Sequence, residues 1–352
     1  MPVIQIDKLE NMCTRIFEGA GLSDEEAQRI AHSLVLSNLM GHDSHGVIRV
    51  TQYIKALKDG IVHADQRIKK IRESDASAVV DGGWGFGQTV CKQAMELAME
   101  KARARAIAAV SLFNSSHIGR LGEYVEMATE ANMIGIVMCN NHGLGRLMCA
   151  FGGIDPKISP NPIAIGIPTG GQFPIVVDMT ASVVAEGKIR VQKNRGEKIP
   201  EGWAIDAQGN SLTDPNDFYG PPLGAILPFG GISAHKGFAL AVAVDILSGA
   251  LGGAGCSREE ADRLGNGVFL MAIDIQAYKD TDDFKIEVDT FIRFLKNSRL
   301  MPGFDEINMP GEIEYKKRQR LEKDGILIDD NTWQQIFETA KSVSVSLEDE
   351  KP

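Results

Sequence analysis

The chain lacks the marks of the commonest phosphate-, metal- and nucleophile-based sites. No GxGxxG opens a helix after an early strand, so a dinucleotide site of the Rossmann type is not expected. The glycine-rich segment 249–255 follows an apolar helical run, where that fingerprint needs a strand. No P-loop, HExxH or GxSxG occurs, which sets aside three further site architectures. Cysteine is scarce and odd in number: Cys13, Cys91, Cys139, Cys149 and Cys256. None forms CxxC, which fits free thiols in a reducing, cytoplasmic setting better than a disulfide or zinc framework. Basic charge is also short, with 37 Lys and Arg against 47 Asp and Glu and a net charge of -10. Nucleic acid is therefore not an expected partner. One local arginine can still hold a small anion against so diffuse a field. The opening MPVIQIDKLE carries acids early and no long apolar stretch, so no signal peptide is expected there. The apolar run 237–255 is interrupted by Asp245 and crowded at its end by Gly249, Gly252, Gly253 and Gly255. It is expected to be a buried helix closing in a turn, not a membrane span.

What is present is ordinary in bulk and unusual in two places. The 352 residues, 43% hydrophobic and 24% charged, suit a soluble protein with more than one core. Residues 5–40 are expected to be helical, with Ser23 and Glu26 as a capping box and Ile30, Leu34, Leu36, Leu39 and Met40 at roughly helical spacing. A helix is expected over 47–57, a short strand over 78–81, a long helix over 86–105 and a buried strand over 107–114. A helix over 121–132 and a strand over 134–138 follow. Strand, polar turn, helix, strand, polar turn is α/β organisation, with the polar turns on one edge of a sheet. Strands are expected over 163–167, 175–178 and 268–275, and helices over 180–192 and 284–297. Residues 206–228 read as a surface excursion, and 315–345 as a charged tail helical around Ile326.

The first unusual place is GHDSHGVIR, residues 41–49, at the end of a helical run. Two imidazoles, a carboxylate, a hydroxyl and a guanidinium gathered there point to an active site. The alternative is a helix C-terminus with Gly46 as its cap. His42 and His45 lack a third ligand nearby, so no metal site is expected. Adjacent Ser44 and His45 are not expected to face each other as nucleophile and base. The second place is NSSHIGR, residues 114–120, which sets His117 at a strand end. Two imidazoles and an arginine suit reduction of a 2-oxo acid. Arginine grips a carboxylate with two N–H groups, and histidine titrates in the range of a working acid. The hydride must come from a nicotinamide, because no side chain supplies one.

GHDSHGVIR, NSSHIGRLGEYVEMA, SPNPIAIGIP, VVDMTAS with EGK after it, HKGFALAVAVDILSGAL and MPGE occur in one order. Together they resemble the type-2 malate/L-lactate dehydrogenase family, over about residues 10–340 and most of all its hydroxycarboxylate dehydrogenase B type. The resemblance implies an α/β fold that is not Rossmann (sulfolactate dehydrogenase-like). It has a mixed-sheet cofactor domain and a helical/mixed domain built from both chain ends. It implies an N-terminal domain over 1–115, an NAD(P)-binding domain over 116–291 and a C-terminal segment, 292–352, packing back on the first. It implies NAD or NADP as cofactor, a small 2-oxo or 2-hydroxy acid as substrate, and a homodimer in the cytoplasm, with no membrane or nucleic acid partner. By position, His117 matches the catalytic acid/base, His45 a second imidazole at the nicotinamide end, and Ser44 and Arg49 the substrate-facing part. The cofactor set implied is Gly119, Arg120, Leu121, Asn141, Asp178, Met179, Thr180, Ala181, Ser182, His235, Lys236, Asn266, Met309, Pro310, Gly311 and Glu312. Asp178–Ser182 is expected to open a helix whose first-turn amides and hydroxyls hold phosphate, with Asp178 as its cap or on the ribose side. Residues 140–147, NNHGLGRL, depart from the family pattern, and Arg146 there is a candidate second anion contact. The family also holds cyclic-imine reductases, and a binding protein without activity is a third reading.

Overall fold

The computed structural model describes residues 1–261 and 263–347. The last residues of the expected C-terminal segment, 348–352, lie outside the described ones. The chain opens with β1 (Val3–Ile4), α1 (Ile6–Gly19) and α2 (Asp24–Leu39). Ser23 caps α2 as expected, its side chain accepting the Glu26 N–H at 3.4 Å. The capping box is only half made, because the Glu26 carboxylate accepts the Asp65 N–H instead of that of Ser23. Two 3-10 turns, Asp43–His45 and Val47–Arg49, lead into α3 (Val50–Lys58).

Then come β2 (Lys69–Glu73), β3 (Ser77–Gly85), α4 (Gly87–Arg105), β4 (Ile107–Ser115), α5 (Gly122–Glu130) and β5 (Met133–Asn140). Four short strands follow: β6 (Met148–Cys149), β7 (Pro156–Ile158), β8 (Ile163–Ile167) and β9 (Ile175–Met179). After α6 (Glu186–Arg195) come β10 (Ala204–Ile205), β11 (Ser211–Leu212), α7 (Pro215–Phe218) and β12 (Ala225–Ile226). The chain ends through α8 (Ala234–Asp245), β13 (Asn266–Asp274), α9 (Thr281–Lys296), α10 (Glu312–Asp324), β14 (Ile326–Leu327) and α11 (Asp330–Ser342).

The result is a mixed α/β fold. A seven-stranded sheet runs β2-β3-β4-β13-β5-β8-β9, with a five-stranded sheet β11-β10-β12-β6-β7 and a pair β1-β14 beside it. In the large sheet β3 and β4 pair in parallel and the other neighbours pair antiparallel. One core joins this sheet to α4 and α5 through Val80, Met95, Val110, Leu112, Val125 and Leu270. A second core joins the two chain ends, with Phe17, Ile30, Leu34 and Tyr53 packed with Ile326, Ile328, Ile336 and Ala340. The expected boundary at 115 falls at the end of β4, inside the large sheet, and that at 291 falls inside α9.

Four expectations need correction. Residues 180–185 are not helical; α6 starts at Glu186, because the Ala181 and Val183 amides donate to Pro160 and Leu227 carbonyls. Residues 206–228 are not a mere excursion. They contribute β11, α7 and β12 around a small core of Ile199, Leu212, Phe218 and Ile226. The apolar helix is not buried throughout: α8 buries Gly237, Ala241, Val244 and Asp245, then runs into a π-helical turn, Ile246–Ala250, while Ile246 and Leu251 are exposed. By length and composition alone Gly231–Ala250 passes for a membrane span. Here its Asp245 is buried and accepts N–H groups from Asn140 and Ser257. Ile326 is in a strand, not a helix, since β1 supplies its ladder partner Ile4.

Candidate active site

The polar turns meet at one edge of the large sheet. The register pairs Gly85 with Ser115, Asn266 with Ser115, Gly267 with Asn140, and Ile163 with both Met138 and Met179. The ends of β3, β4, β5 and β9 and the starts of β13 and β8 therefore line up. His117 stands just past β4, and its turn is held from three sides. Ser116 Oγ accepts the Gly87 N–H at 2.9 Å, Asn266 Oδ1 accepts the Ile118 N–H at 3.0 Å, and the Tyr124 hydroxyl donates to the Ile118 carbonyl. The Asn266 amide donates onward to the Asn140 carbonyl at 2.9 Å and to Asn141 Oδ1 at 3.2 Å. Asn266 and Asn141, both in the expected cofactor set, are thus tied to the histidine turn rather than left free.

The 41–49 segment lies over this edge. Gly41, with φ +84°, turns the chain after α2; Gly46 does not, its φ being -86°. Gly46 therefore does not end α2; it closes the first 3-10 turn, its N–H donating to the Asp43 carbonyl at 3.1 Å. Glycine is needed at 46 because a Cβ there would stand 2.1 Å from the Asn38 side-chain oxygen. That buried amide accepts the Val47 N–H and donates to Asp43, both at 2.8 Å, so it braces the whole turn. Ser44 Oγ lies 3.1 Å from His45 Nδ1, contrary to the expectation that these neighbours would not face each other. A 3-10 turn brings them together. Arg49 Nε donates to the Ser44 carbonyl at 2.7 Å, which turns the guanidinium back toward the histidines. The His45 and His117 rings stack with centroids 5.3 Å apart, and Tyr53 Oη lies 2.7 Å from His117 Nδ1. Against the same turn, α6 leans so closely that a Cβ on Gly187 would stand 2.9 Å from the Ser44 Cβ.

Electrostatics keep both rings neutral. Burial first, then Arg49, His42 and Arg120, push His45 down to about 3. Burial, then Arg49 and His45, hold His117 well below the ordinary imidazole range, and burial also lowers His42. In the unfolded chain these rings protonate near pH ~6.5. The unfolded state then binds more protons, so stability falls with pH between ~6.5 and about 3 for His45. The expected loss from His45 is about 1.4 kcal/mol per pH unit. Urea unfolding near pH ~6.5 and pH ~5 should show a shallower acid loss in His45→Asn than in wild type. Equal slopes would refute the assignment.

Elsewhere the expected cofactor residues are variously engaged. Arg120 is buried and pairs with Glu126, leaving its Nε with no partner. Asp178 Oδ2 accepts the Gly122 N–H at 2.8 Å, so it caps α5 and not a helix of its own. The Thr180 hydroxyl donates to the Ser182 carbonyl at 3.1 Å, and the Ser182 hydroxyl donates to the Val184 carbonyl at 2.8 Å. The phosphate cradle expected at 180–182 is therefore not formed. Met179 is exposed and Ala181 is buried. Gly119, at φ +79°, and Leu121 lead from His117 into α5. His235 and Lys236 are exposed in the first turn of α8, with His235 edge-on to Phe151. Glu312 is buried and accepts from Lys296, Lys316 and the Met309 N–H, which close the segment 309–312 on itself. Although burial pushes it up, those donors bring Glu312 down to about 2. The Pro310 carbonyl accepts the Val176 N–H at 3.1 Å, and Gly311 at φ +88° clears Val176, so this segment staples β9.

Three contributors escaped the sequence reading. Tyr53 touches His117, Gln88 donates to Tyr53 at 2.8 Å, and Glu123 pairs with Arg29 behind them. The usable signal was that Tyr53 lies one helical turn beyond Arg49 and so shares its face. Gln88 and Glu123 carried none.

A sequence profile described as malate/L-lactate dehydrogenase matches residues 4–337. The chain is 37% identical to a malate dehydrogenase of Pyrococcus abyssi, covering 96% of this chain and 94% of that one. It is 36% identical to an L-sulfolactate dehydrogenase of Methanocaldococcus jannaschii over 99% of both. Against hydroxycarboxylate dehydrogenase B of Escherichia coli K12 it is 32% identical over 96% of this chain and 93% of the other. A solved structure described as a putative malate/lactate dehydrogenase from E. coli matches with TM-score 0.92 and 31% identity, covering 99% and 97% of the two chains. A delta1-piperideine-2-carboxylate reductase from Pseudomonas syringae matches with TM-score 0.81 and 27% identity, covering 97% and 100%.

Proposed function

The chain belongs to the malate/L-lactate dehydrogenase family, and we propose that it interconverts a 2-oxo acid and its 2-hydroxy acid with NAD or NADP. The observation that carries this is the stacked, neutral His45–His117 pair with the Arg49 guanidinium acting on both. The nicotinamide supplies the hydride when bound. Arg49 holds the substrate carboxylate, and Ser44 and His45 line the same side. His117 exchanges a proton with the substrate oxygen. A neutral imidazole suits the oxidation direction, where a base is needed, down to pH values well below ~6.5.

The residues after His117 fit the dinucleotide. Arg120 Nε is a buried donor without a partner, and Gly119 gives the left-handed turn that brings backbone close. Lys236 and His235 add charge and a donor at the start of α8, where an anion is favoured. No GxGxxG is needed for such a site. Because the Ser182 hydroxyl is already paired, Ser182→Ala should leave cofactor affinity within about twofold and lower stability by about 1 kcal/mol. Lys236→Ala should weaken cofactor binding, more at low salt than at high. Fluorescence titration of both variants decides; a weakened Ser182→Ala would return that hydroxyl to the phosphate.

Arg49→Lys keeps the charge and loses the two-pronged grip. The Michaelis constant for the oxo acid should rise about tenfold, ~1.4 kcal/mol of lost binding. An unchanged constant means that Arg49 serves only the Ser44 carbonyl and Gln52 Oε1, which it also reaches at 2.6 Å. Cofactor absorbance with a panel of pyruvate, oxaloacetate and piperideine-2-carboxylate tests the function itself. Turnover of the imine alone would favour the second reading, cyclic-imine reduction, which the likeness to the piperideine-2-carboxylate reductase supports. No turnover with any member would leave a binding protein.

As a homodimer the chain would cover the exposed Ile232, Ile246 and Leu251 around α8 and Ile286, Phe291 and Phe294 on α9. Sedimentation reads that state. Among the described residues all five cysteines are free thiols, in keeping with a reducing cytoplasm.

A further inference from the structure

We propose that Tyr53, anchored by Gln88, is the positioning residue that holds neutral His117 with its ring proton on Nε2, the nitrogen left for the substrate. This rests on the reading of His117 as the acid/base. Gln88 is fully buried, and its Nε2 donates to Tyr53 Oη at 2.8 Å. Tyr53 Oη lies 2.7 Å from His117 Nδ1. A phenol carries one proton. With a lone pair already facing Gln88, the phenol meets Nδ1 in one of two ways: it donates, or it accepts the ring N–H. Acceptance would leave the phenolic proton without an acceptor, since among the described residues Tyr53 Oη has no third partner and Phe86 packs on the ring with centroids 6.0 Å apart. An orphaned buried donor is costly. The proton therefore points at Nδ1, and the neutral ring carries its own on Nε2.

This arrangement answers a difficulty in the proposed reduction. His117 faces Arg49 and His45 from the 3-10 turns and Tyr53 from α3, and Glu123 faces Tyr53 from α5. Arg49 and burial oppose an imidazolium. As the carbonyl carbon accepts hydride, the carbonyl oxygen takes the Nε2 proton and Nδ1 takes the phenolic proton. The ring stays neutral throughout. Burial pushes the Tyr53 phenol up to about 12, and the Arg49 charge and the Gln88 N–H pull it back toward the tyrosinate. The tyrosinate regains its proton through the ring: as the hydroxy acid leaves, Nε2 takes a proton from water and Nδ1 returns its own to Tyr53 Oη. The driving direction is sound, because a simple alcohol is a weaker acid than a phenol. Neutral imidazole as the proton donor has precedent in enzymes whose histidine pKa is pushed down.

The test uses the full chain labelled with ¹⁵N-histidine, whose seven histidines give few signals. His117 is assigned by its loss in His117→Gln. Wild type should show the Nε2–H tautomer at pH ~7, below any titration of a normal phenol. The Nδ1–H tautomer in wild type overturns the proposal without any variant, since it would mean the chain runs the other way, with the Gln88 carbonyl accepting. Tyr53→Phe should give a mixture of tautomers. In the second arm, kcat/KM for oxo-acid reduction should be flat from about pH 6 to about pH 9 in wild type. In Tyr53→Phe it should fall about tenfold per pH unit, as an imidazolium becomes necessary. A falling wild-type profile, or a flat one in Tyr53→Phe, overturns the relay. If no oxo acid is reduced, the proposed function fails, and the tautomer still decides the positioning role.

Discussion

With His117 as the proposed acid/base, His117→Ala is expected to reduce an oxo acid roughly 100- to 10,000-fold more slowly than wild type while binding cofactor within about twofold. The size follows from the loss of the group that moves the proton, with the hydride path left in place. Binding survives because the turn does not depend on the imidazole. Its backbone is held by Asn266, Ser116 and Tyr124, none of which touches the ring. The loss should appear in kcat and kcat/KM together, the pattern of an interaction made mainly in the transition state. Stopped-flow single turnover and cofactor fluorescence separate the two effects. A variant keeping more than about half of the wild-type rate would remove His117 from the chemistry. A variant that loses cofactor affinity as well would make the ring a structural plug for the stack with His45.

The second large effect is on stability. Glu123→Gln should cost about 3–5 kcal/mol, the usual penalty for stranding one member of a buried ion pair. Glu123 receives the Arg29 guanidinium and, at 2.6 Å, the Ser33 hydroxyl, and both charged side chains are largely withdrawn from water at 14% and 7% exposure. Burial pushes the Arg29 guanidinium down and Glu123 more than offsets it, so the arginine stays charged. Without the carboxylate's charge the guanidinium keeps a 3.2 Å bond to the Gln88 carbonyl and a neutral amide oxygen, neither of which balances it. The pair joins α2 of the helical core to α5 of the sheet core, so its loss loosens the seam above which the histidines sit. Replacing both residues, Arg29→Met with Glu123→Leu, should recover much of the stability, because no lone charge remains. Urea unfolding of Arg29→Met, Glu123→Leu and the double variant closes the cycle, with Glu123→Gln measured beside them. A loss under about 1 kcal/mol in Glu123→Gln would mean that water reaches the guanidinium.

Most of the order of elements is written locally. Short apolar runs mark β4, β5, β8 and β13, and the first of them sets His117 at a strand end with a helix behind it. The same pattern predicts polar turns along one sheet edge, where the register places them. The Gly41–Gly46 turn is visible in the sequence as a polar break after a helix, although Gly41 turns the chain after α2 and Gly46 closes only the 3-10 turn that follows. These features depend on which face of a segment is apolar and where it stops, and neighbours in sequence carry that information.

Tertiary structure decided who pairs with whom. Residues 180–185 read as a helix start, yet distant Pro160 and Leu227 carbonyls take two of their amides and keep the segment out of a helix. Asp178 caps a helix that precedes it in the chain, and Arg120 turns to Glu126 instead of outward. Ile326 becomes a strand only because β1 is there to pair with it. Tyr53 reaches His117 and Gln88 reaches Tyr53 only once α3 and α4 pack against the sheet edge. A buried polar group must be satisfied, but its partner is whichever donor or acceptor the packing brings within about 3 Å. Periodicity along the chain records burial; it holds no record of the distant atom that will complete the hydrogen bond.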